Sequence, residues 1–481
     1  MSHPRISALL TDYYSLTMAQ GYDALGRGQQ RAVFEYVFRS LPPDTGYAVF
    51  AGLDPLLDDF QSLCFAEEDF AYLKQLPGMI PAFLEGLKTW SFTGHVWAAP
   101  EGTVVFPYEP VLRVEATLPD AQLIEGLVLN RLNYQTLVAT KAARVCEAAQ
   151  GDPVLEFGFR RAHGPDGALS GSRAAYIGGC IATSYMAAGL RYGIPVRGTM
   201  AHSWVMSFAS ELDAFRAYVS VSRDNPILLV DTYSTRHSGI PNAVTVFQEL
   251  RTQGWTGRPA IRLDSGDLKQ LAEYARERFL AARLPAPLIV ASGDLDEDSI
   301  LRLKKQHAPI EGWGVGTKLI TGDPQPYWTG VYKLAAVQEA GGWRPRIKSS
   351  DTPEKTTEPG VKEVIRWSDH AGRPAGDVIC LADELASSQT PATRACHRTD
   401  RTTQRVFDGM AGMPLTKPVM RDGTRLYPPI PLADVQRQVR ANLDRLDPAL
   451  RRLTSPSSYW VGLSERLSQL KVEMLRRSSD E

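Results

Sequence analysis

The segment Arg262-Leu263-Asp264-Ser265-Gly266-Asp267 sets a cation and two carboxylates beside a flexible turn. Carboxylates so placed orient a sugar diol or hold Mg2+ through oxygen. The plainer reading is a Ser-Gly turn with Asp267 capping a helix. Ser292-Gly293-Asp294-Leu295-Asp296 repeats the Ser-Gly-Asp arrangement. Gly314-Val315-Gly316-Thr317 lets backbone N–H groups approach a phosphate, or makes a tight strand-to-helix turn. Phe157-Gly158-Phe159-Arg160-Arg161 offers aromatic faces beside fixed positive charge, suited to a flat ring with an anionic group. Otherwise Phe157 is core and the arginines are solvated. His202, in Gly198-Thr199-Met200-Ala201-His202-Ser203, is the histidine placed to act as a base or to accept a phosphoryl group, although a lone histidine is usually structural. Ser172-Arg173, Lys141 and Arg144 add cations that singly read as surface charge.

Each cluster follows a short apolar run. Val154-Leu155 precedes Glu156-Phe157, and Ile194-Pro195-Val196 precedes Arg197-Gly198-Thr199. Ile227-Leu228-Leu229-Val230 precedes Asp231-Thr232, and Ala260-Ile261 precedes Arg262. Leu288-Ile289-Val290 precedes Ser292, and Trp313 precedes Gly314. The runs lie roughly 25 to 40 residues apart, the length of a strand plus a crossover helix. Parallel strands buried on both faces read as continuous apolar runs. Polar residues past their C-terminal ends sit where parallel α/β folds build active sites. The pattern predicts an α/β enzyme with these clusters around one cavity.

The rest of the chain organises around that repeat. Ala32 to Arg39 alternates like a strand with one wet face. Val104-Val105-Phe106 and Val111-Leu112-Arg113-Val114 read as two strands around a turn, and Leu123 to Cys146 as a long helix. After the polar loop 349–360, Val361–Trp367 and Asp377–Leu381 are strand candidates that return to the N-terminal sheet. Ser387 to Gln404 is polar without a core pattern, and Leu432 to Arg477 has helical spacing broken near Ser455. The expected domains are an N-terminal α+β sandwich over 1–135, completed by strands from 345–385, an irregular TIM-like α/β barrel over 136–345, and a C-terminal extension over 346–481 with terminal helices.

Composition narrows the class. Of 481 residues, 43% are hydrophobic and 22% charged, enough to bury a sizeable core. A net charge of -1 offers no field for nucleic acid or an acidic membrane, so an anionic ligand needs local groups. Five cysteines without a Cys-x-x-Cys pair point to a reducing, cytoplasmic compartment and no zinc site. The first residues lack a basic segment leading into an apolar core, so no secretory signal is expected. Ala174 to Leu190 is uncharged but small-residue-rich, and shorter than the roughly 20 apolar residues of a membrane span. It reads as one buried crossover helix.

Taken together, and with Leu9-Leu10-Thr11-Asp12-Tyr13-Tyr14, these segments resemble nicotinate phosphoribosyltransferase. The resemblance implies that nicotinate displaces pyrophosphate from phosphoribosyl pyrophosphate, giving nicotinate mononucleotide, the first step of NAD salvage from the acid. It implies Mg2+, ATP as co-substrate, and a phosphorylated histidine at His202. It puts Tyr14 and Phe157 on either face of the pyridine ring, with Arg160 and Thr199 near the ring's reacting side or its carboxylate. Arg262 and Asp264 take the pyrophosphate and ribose side. Ser292 and the loops of Gly293, Asp294, Gly316 and Thr317 take the ribose 5-phosphate side, with Asp264 and Asp294 as candidate Mg2+ contacts.

Three alternatives stay open. A nicotinamide-specific enzyme of the same fold carries an acidic residue after the Gly-Thr pair, where this chain has Met200. A barrel lyase acting on a sugar phosphate needs a Schiff-base lysine, for which Lys318 and Lys333 are placed. A silent ligand-sensing protein would not need His202, Arg262 and Asp264 together. Tyr14 lies more than a hundred residues before the barrel, yet the resemblance puts it against the nicotinate held by Phe157. The expected solution is a homodimer with shared active sites, Tyr14 coming from one chain and Phe157 from the other, the alternative being an N-terminal domain folded back onto its own barrel.

Overall fold

A computed structural model describes residues 6–387 and 393–479. The chain divides into two compact units, one of residues 138–326 and one of residues 1–137 with 327–481.

In the first unit the apolar runs become parallel strands: β1 (Val154–Glu156), β2 (Ala182–Thr183), β3 (Ile227–Leu229), β4 (Ala260–Leu263), β5 (Leu288–Ala291) and β6 (Gly312–Val315). Their order in the sheet is β3-β4-β5-β6-β1-β2. Leu228, Leu229, Ile261, Ile289, Val290, Trp313 and Val315 are all buried, which explains why the runs carry no alternation. Helices Gly164–Ile177, Ile240–Thr252, Leu268–Ala281 and Glu297–Lys305 connect them. One parallel bridge, Thr183 to Val196, adds a rung beyond β2.

Among the described residues no backbone rung joins Val196 to β3, so pairing leaves the ring open there. The sheet is nevertheless strongly curled. Arg262 of β4 and the Val196 segment are five strand positions apart, about 24 Å on a flat sheet at roughly 4.8 Å per strand. Arg262 still donates a 2.7 Å hydrogen bond to Thr199, just past Val196.

The uncharged stretch from Ala174 to Leu190 is not one helix. The helix ends at Ile177, β2 follows, and a second helix runs from Met186 to Tyr192. Two glycines make the break. A Cβ on Gly178 would stand 2.3 Å from the Ala139 carbonyl, and Gly179 has φ +122°. The long helix expected from Leu123 runs from Glu125 to Ala149.

The second unit holds a seven-stranded sheet in the order 342–345, 330–339, 31–38, 112–117, 95–98, 417–421, 424–425. The strands that complete it come from 330–345 and 417–425. The candidates Lys362–Ser368 and Pro374–Leu381 pair instead with each other, in a separate six-stranded sheet with 394–397, 404–406, 411–414 and 461–464. The strand expected to have one wet face, Arg31–Phe38, is covered on both. Its Glu35 is buried and meets Lys362 at 2.8 Å, so the polar position in the alternation is an ion pair. The two strands expected around a turn are present but do not pair with each other. Val104–Val105 pairs with Ala48–Val49, while Leu112–Thr117 pairs with the strands at 31–38 and 95–98. Part of the polar stretch from Ser387 falls outside the described residues, but Arg394–His397 is a strand with Ala395 and Cys396 buried. The terminal helical pattern is two helices, Leu432–Arg445 and Glu465–Ser479, with strand Val461–Ser464 before the second. No described helix is long and apolar enough to cross a membrane.

Candidate active site

The C-terminal ends of β3, β4 and β5 carry a hydrogen-bonded cluster. Arg262 is the hub. Its Nε donates to Ser292 Oγ (2.9 Å), Nη1 to Thr199 Oγ1 (2.7 Å) and to the Met200 carbonyl (3.5 Å), and Nη2 to Asp264 Oδ1 (3.3 Å). Ser292 Oγ donates to Asp264 Oδ1 at 2.5 Å. Burial alone raises the Asp264 pKa, but the Ser292 hydrogen bond and the Arg262 charge more than reverse this and hold it below the usual carboxylate value. Asp264 is therefore an anion at neutral pH.

His202 opens the helix His202–Met206 beyond the Thr199 turn. Its Nδ1 lies 3.1 Å from Thr232 Oγ1, and its Nε2 3.9 Å from Asp264 Oδ2. Thr232 fixes the ring, leaving Nε2 directed toward the carboxylate. Thr232 and Asp231 belong to the cluster, although only their place after the β3 run marks them in the sequence. Asp231 Oδ2 accepts from the Asp264 amide (3.2 Å) and from Ser265 Oγ (2.6 Å), while Oδ1 is buried without a hydrogen-bond partner.

The Ser-Gly-Asp turns meet tightly. Gly293 has φ +101°, and a Cβ there would stand 2.5 Å from the Asp264 carbonyl. Only glycine permits this approach. Both turns border a cavity of about 460 Å³, lined in part by Asp264, Ser265, Asp294, Ser299 and Arg302. Asp267 takes the plainer role, accepting from the Gln270 amide as a helix cap.

The aromatic turn sits across β1 and β6. The Phe157 amide donates to the Val315 carbonyl (2.8 Å), and a Cβ on Gly314 would stand 2.6 Å from the Phe157 ring. A Cβ on Gly316 would stand 3.1 Å from the Phe157 carbonyl. The two glycines let the ring turn and the Gly316-Thr317 turn pack as one body. Thr317 opens the short helix Thr317–Thr321. Arg160 is exposed on the single 3-10 turn Phe159–Arg161, and Phe159 stacks on Tyr185 with centroids 4.2 Å apart.

The remaining cations resolve into structure. Lys141 and Arg144 are buried, not solvated, and both meet Glu297, at 2.5 and 3.1 Å. Ser172 and Arg173 are buried as well. Lys318 Nζ lies 2.5 Å from Asp296 Oδ2. That hydrogen bond raises the Lys318 pKa, so the lysine is an ammonium rather than a free amine. Lys333 lies in the other unit, 3.5 Å from Glu125. Lys318 therefore does not suit Schiff-base chemistry, which needs a neutral amine, and Lys333 stands outside the unit that carries the cluster.

Tyr14 belongs to the other unit, on helix Tyr13–Ala24, and is 47% exposed. Partial burial and the neighbouring Glu125 raise its phenol pKa.

Known proteins place this chain. Residues 9–133 match the model of the nicotinate phosphoribosyltransferase N-terminal domain, and residues 361–471 that of its C-terminal domain. The Bacillus subtilis (strain 168) nicotinate phosphoribosyltransferase is 42% identical over 470 residues, covering 97% of this chain and 95% of that protein. The human nicotinate phosphoribosyltransferase is 35% identical over 520 residues, with 96% and 95% covered. The crystal structure of human nicotinic acid phosphoribosyltransferase superposes with a TM-score of 0.83 at 32% identity, covering 96% of this chain and 99% of that one. A nicotinate-nucleotide pyrophosphorylase structure from Pyrococcus furiosus, at 22% identity and TM-score 0.68, shares the fold. With these lengths and identities added to the cluster around Arg262, the chain belongs to the nicotinate phosphoribosyltransferase family.

Proposed function

We infer that the protein transfers the phosphoribosyl group of phosphoribosyl pyrophosphate to nicotinate, releasing pyrophosphate and forming nicotinate mononucleotide. One observation carries this reading. A guanidinium held by Ser292 and Thr199 stands beside the ionised carboxylate of Asp264 at the end of β4. Glycosyl transfer of this kind leaves negative charge on the departing pyrophosphate and develops positive charge on the ribose. Arg262 meets the first and Asp264 the second, both in place before the reaction begins.

The other residues divide the substrate between them. Phe157 supplies a flat face for the pyridine ring, and Arg160 and Thr199 serve its carboxylate or its reacting side. Ser292, Gly293, Asp294, Gly316 and Thr317 receive the ribose 5-phosphate side. Met200 is buried and uncharged where an amide-binding relative needs an acid, which favours nicotinate over nicotinamide.

Mg2+ would accompany the pyrophosphate. Asp264 and Asp294, with the unpartnered Oδ1 of Asp231, offer oxygen only, as a hard cation requires. No group of three His, Cys, Asp or Glu among the described residues makes a metal cage, so these oxygens would hold the ion only together with the substrate's phosphates. When bound, Mg2+ would supply charge neutralisation on the leaving group.

ATP is the co-substrate, and His202 receives its phosphoryl group. In the tautomer with its proton on Nδ1, facing Thr232 Oγ1, Nε2 would carry the lone pair that forms the N–P bond as ADP leaves. The enzyme works in the cytoplasm as a homodimer whose sites combine Tyr14 of one chain with Phe157, His202 and Arg262 of the other.

Purified protein given phosphoribosyl pyrophosphate and Mg2+ should form mononucleotide from nicotinate, faster with ATP, and little from nicotinamide. Equal turnover of both bases would remove the argument from Met200. No turnover of nicotinate would overturn the reading.

A further inference from the structure

Behind the aromatic turn lies a carboxylate with no role in the chemistry above. Glu156 ends β1 and is fully buried. It accepts a hydrogen bond from the Gly158 amide through Oε1, and from Ser172 Oγ (2.8 Å) and Thr183 Oγ1 (2.5 Å) through Oε2. These donors come from three elements: the turn itself, the helix Gly164–Ile177, and β2. Thr183 Oγ1 also accepts from the Tyr185 amide (3.0 Å), and Tyr185 stacks on Phe159 of the same turn. The Glu156 carbonyl accepts from the Ser184 amide at 2.9 Å. The turn is thus held from below by Glu156 and from the side by Tyr185.

The donor count requires a carboxylate. Thr183 spends a lone pair on the Tyr185 amide and points its hydrogen at Glu156. Gly158 can only donate. Every partner therefore needs an acceptor, and an ionised carboxylate is acceptor-only on both oxygens. A glutamine satisfies half of this. With its oxygen toward the hydroxyls, its NH2 faces the Gly158 amide, donor against donor. Reversed, its NH2 displaces the two hydroxyl hydrogens, and the 3.4 Å contact between Thr183 and Ser172 can take only one of them.

We propose that Glu156 is a positioning residue for nicotinate, fixing the turn from Phe157 to Arg161 so that ring face and guanidinium meet the base together. The proposal rests on the reading of Phe157 and Arg160 as base-binding residues. It separates the base side of the site from the part of the phosphoribosyl side that hangs on Arg262 and the Ser-Gly-Asp turns, the Gly316-Thr317 turn packing against the base side.

The test is the KM for each substrate in Glu156→Gln, Thr183→Val and Ser172→Ala, with Phe157→Ala as reference. Glu156→Gln should raise the KM for nicotinate about tenfold, equivalent to ~1.4 kcal/mol, the scale of one hydrogen bond to a charged group. Thr183→Val should raise it less, and the KM for phosphoribosyl pyrophosphate should stay within about twofold in each. If Glu156→Gln fails to fold, the other two variants decide. A loss confined to kcat or to melting temperature, or an equal rise in both KM values, would overturn the proposal while Phe157→Ala still weakens nicotinate. If Phe157→Ala leaves the nicotinate KM unchanged, the base-site reading itself fails.

Discussion

Arg262→Lys keeps the charge and removes the fork. Arg262 serves Ser292, Thr199, Met200 and Asp264 from three nitrogens, at 2.9, 2.7, 3.5 and 3.3 Å. One ammonium holds the Asp264 side and at most one neighbour. About two hydrogen bonds from the charged guanidinium are lost, roughly 3 kcal/mol of stability at about 1.5 kcal/mol each. In a unit of this size that lowers Tm by about 6–12 °C. The chemical loss is larger. A fixed donor aimed at developing negative charge is worth roughly 100- to 1,000-fold in rate. The assay is kcat/KM for phosphoribosyl pyrophosphate at saturating nicotinate, beside a thermal melt. A variant that melts lower yet keeps kcat/KM within about threefold would make Arg262 a brace for the Thr199 turn, not a contact to the leaving group.

His202→Ala should abolish the rate gain from ATP and leave a slower ATP-independent reaction; labelled ATP should mark the wild type alone with acid-labile phosphate, and equal labelling of the variant would refute the assignment. Mixing inactive Tyr14→Ala with inactive Arg262→Ala should restore one working site in each mixed dimer, and no recovery after verified subunit exchange would sink the shared site. The pair Asp296–Lys318 predicts a pH dependence of stability. Although burial opposes it, the Lys318 hydrogen bond draws the Asp296 pKa from 3.8 to about 2. A depressed folded pKa gives stability that is complete above pH 3.8 and lost as pH falls through about 2. Asp296→Asn should therefore flatten the acid limb of the melting curve, and an unchanged acid limb would show that the pair contributes nothing.

The site was largely legible because its residues are local to strand ends. Asp264, Ser292, Gly293 and Gly316 each follow an apolar run by a few residues, and a parallel sheet necessarily gathers such positions on one side. Asp231 and Thr232 obey the same rule but lack a motif, so their part in holding Asp264 and His202 needed coordinates. Glu156 stood inside a motif, yet nothing in the local chain marks which distant hydroxyls it accepts from.

Sequence by itself determined what is periodic or local: the continuous apolar strands, a long helix from about Leu123, and the residue types gathered at each strand end. Tertiary structure decided what depends on partners far along the chain. It assigned 330–345 to the N-terminal sheet and sent 362–381 elsewhere, because strand pairing is a contest among edges that alternation alone does not rank. It split the stretch from Ala174 to Leu190 where Gly178 meets the Ala139 carbonyl. It turned Glu35, Lys141 and Arg144 from solvated charges into buried pairs. A charge reads as exposed in a sequence because burying it alone is costly, and only the fold supplies the opposite charge that makes burial tolerable.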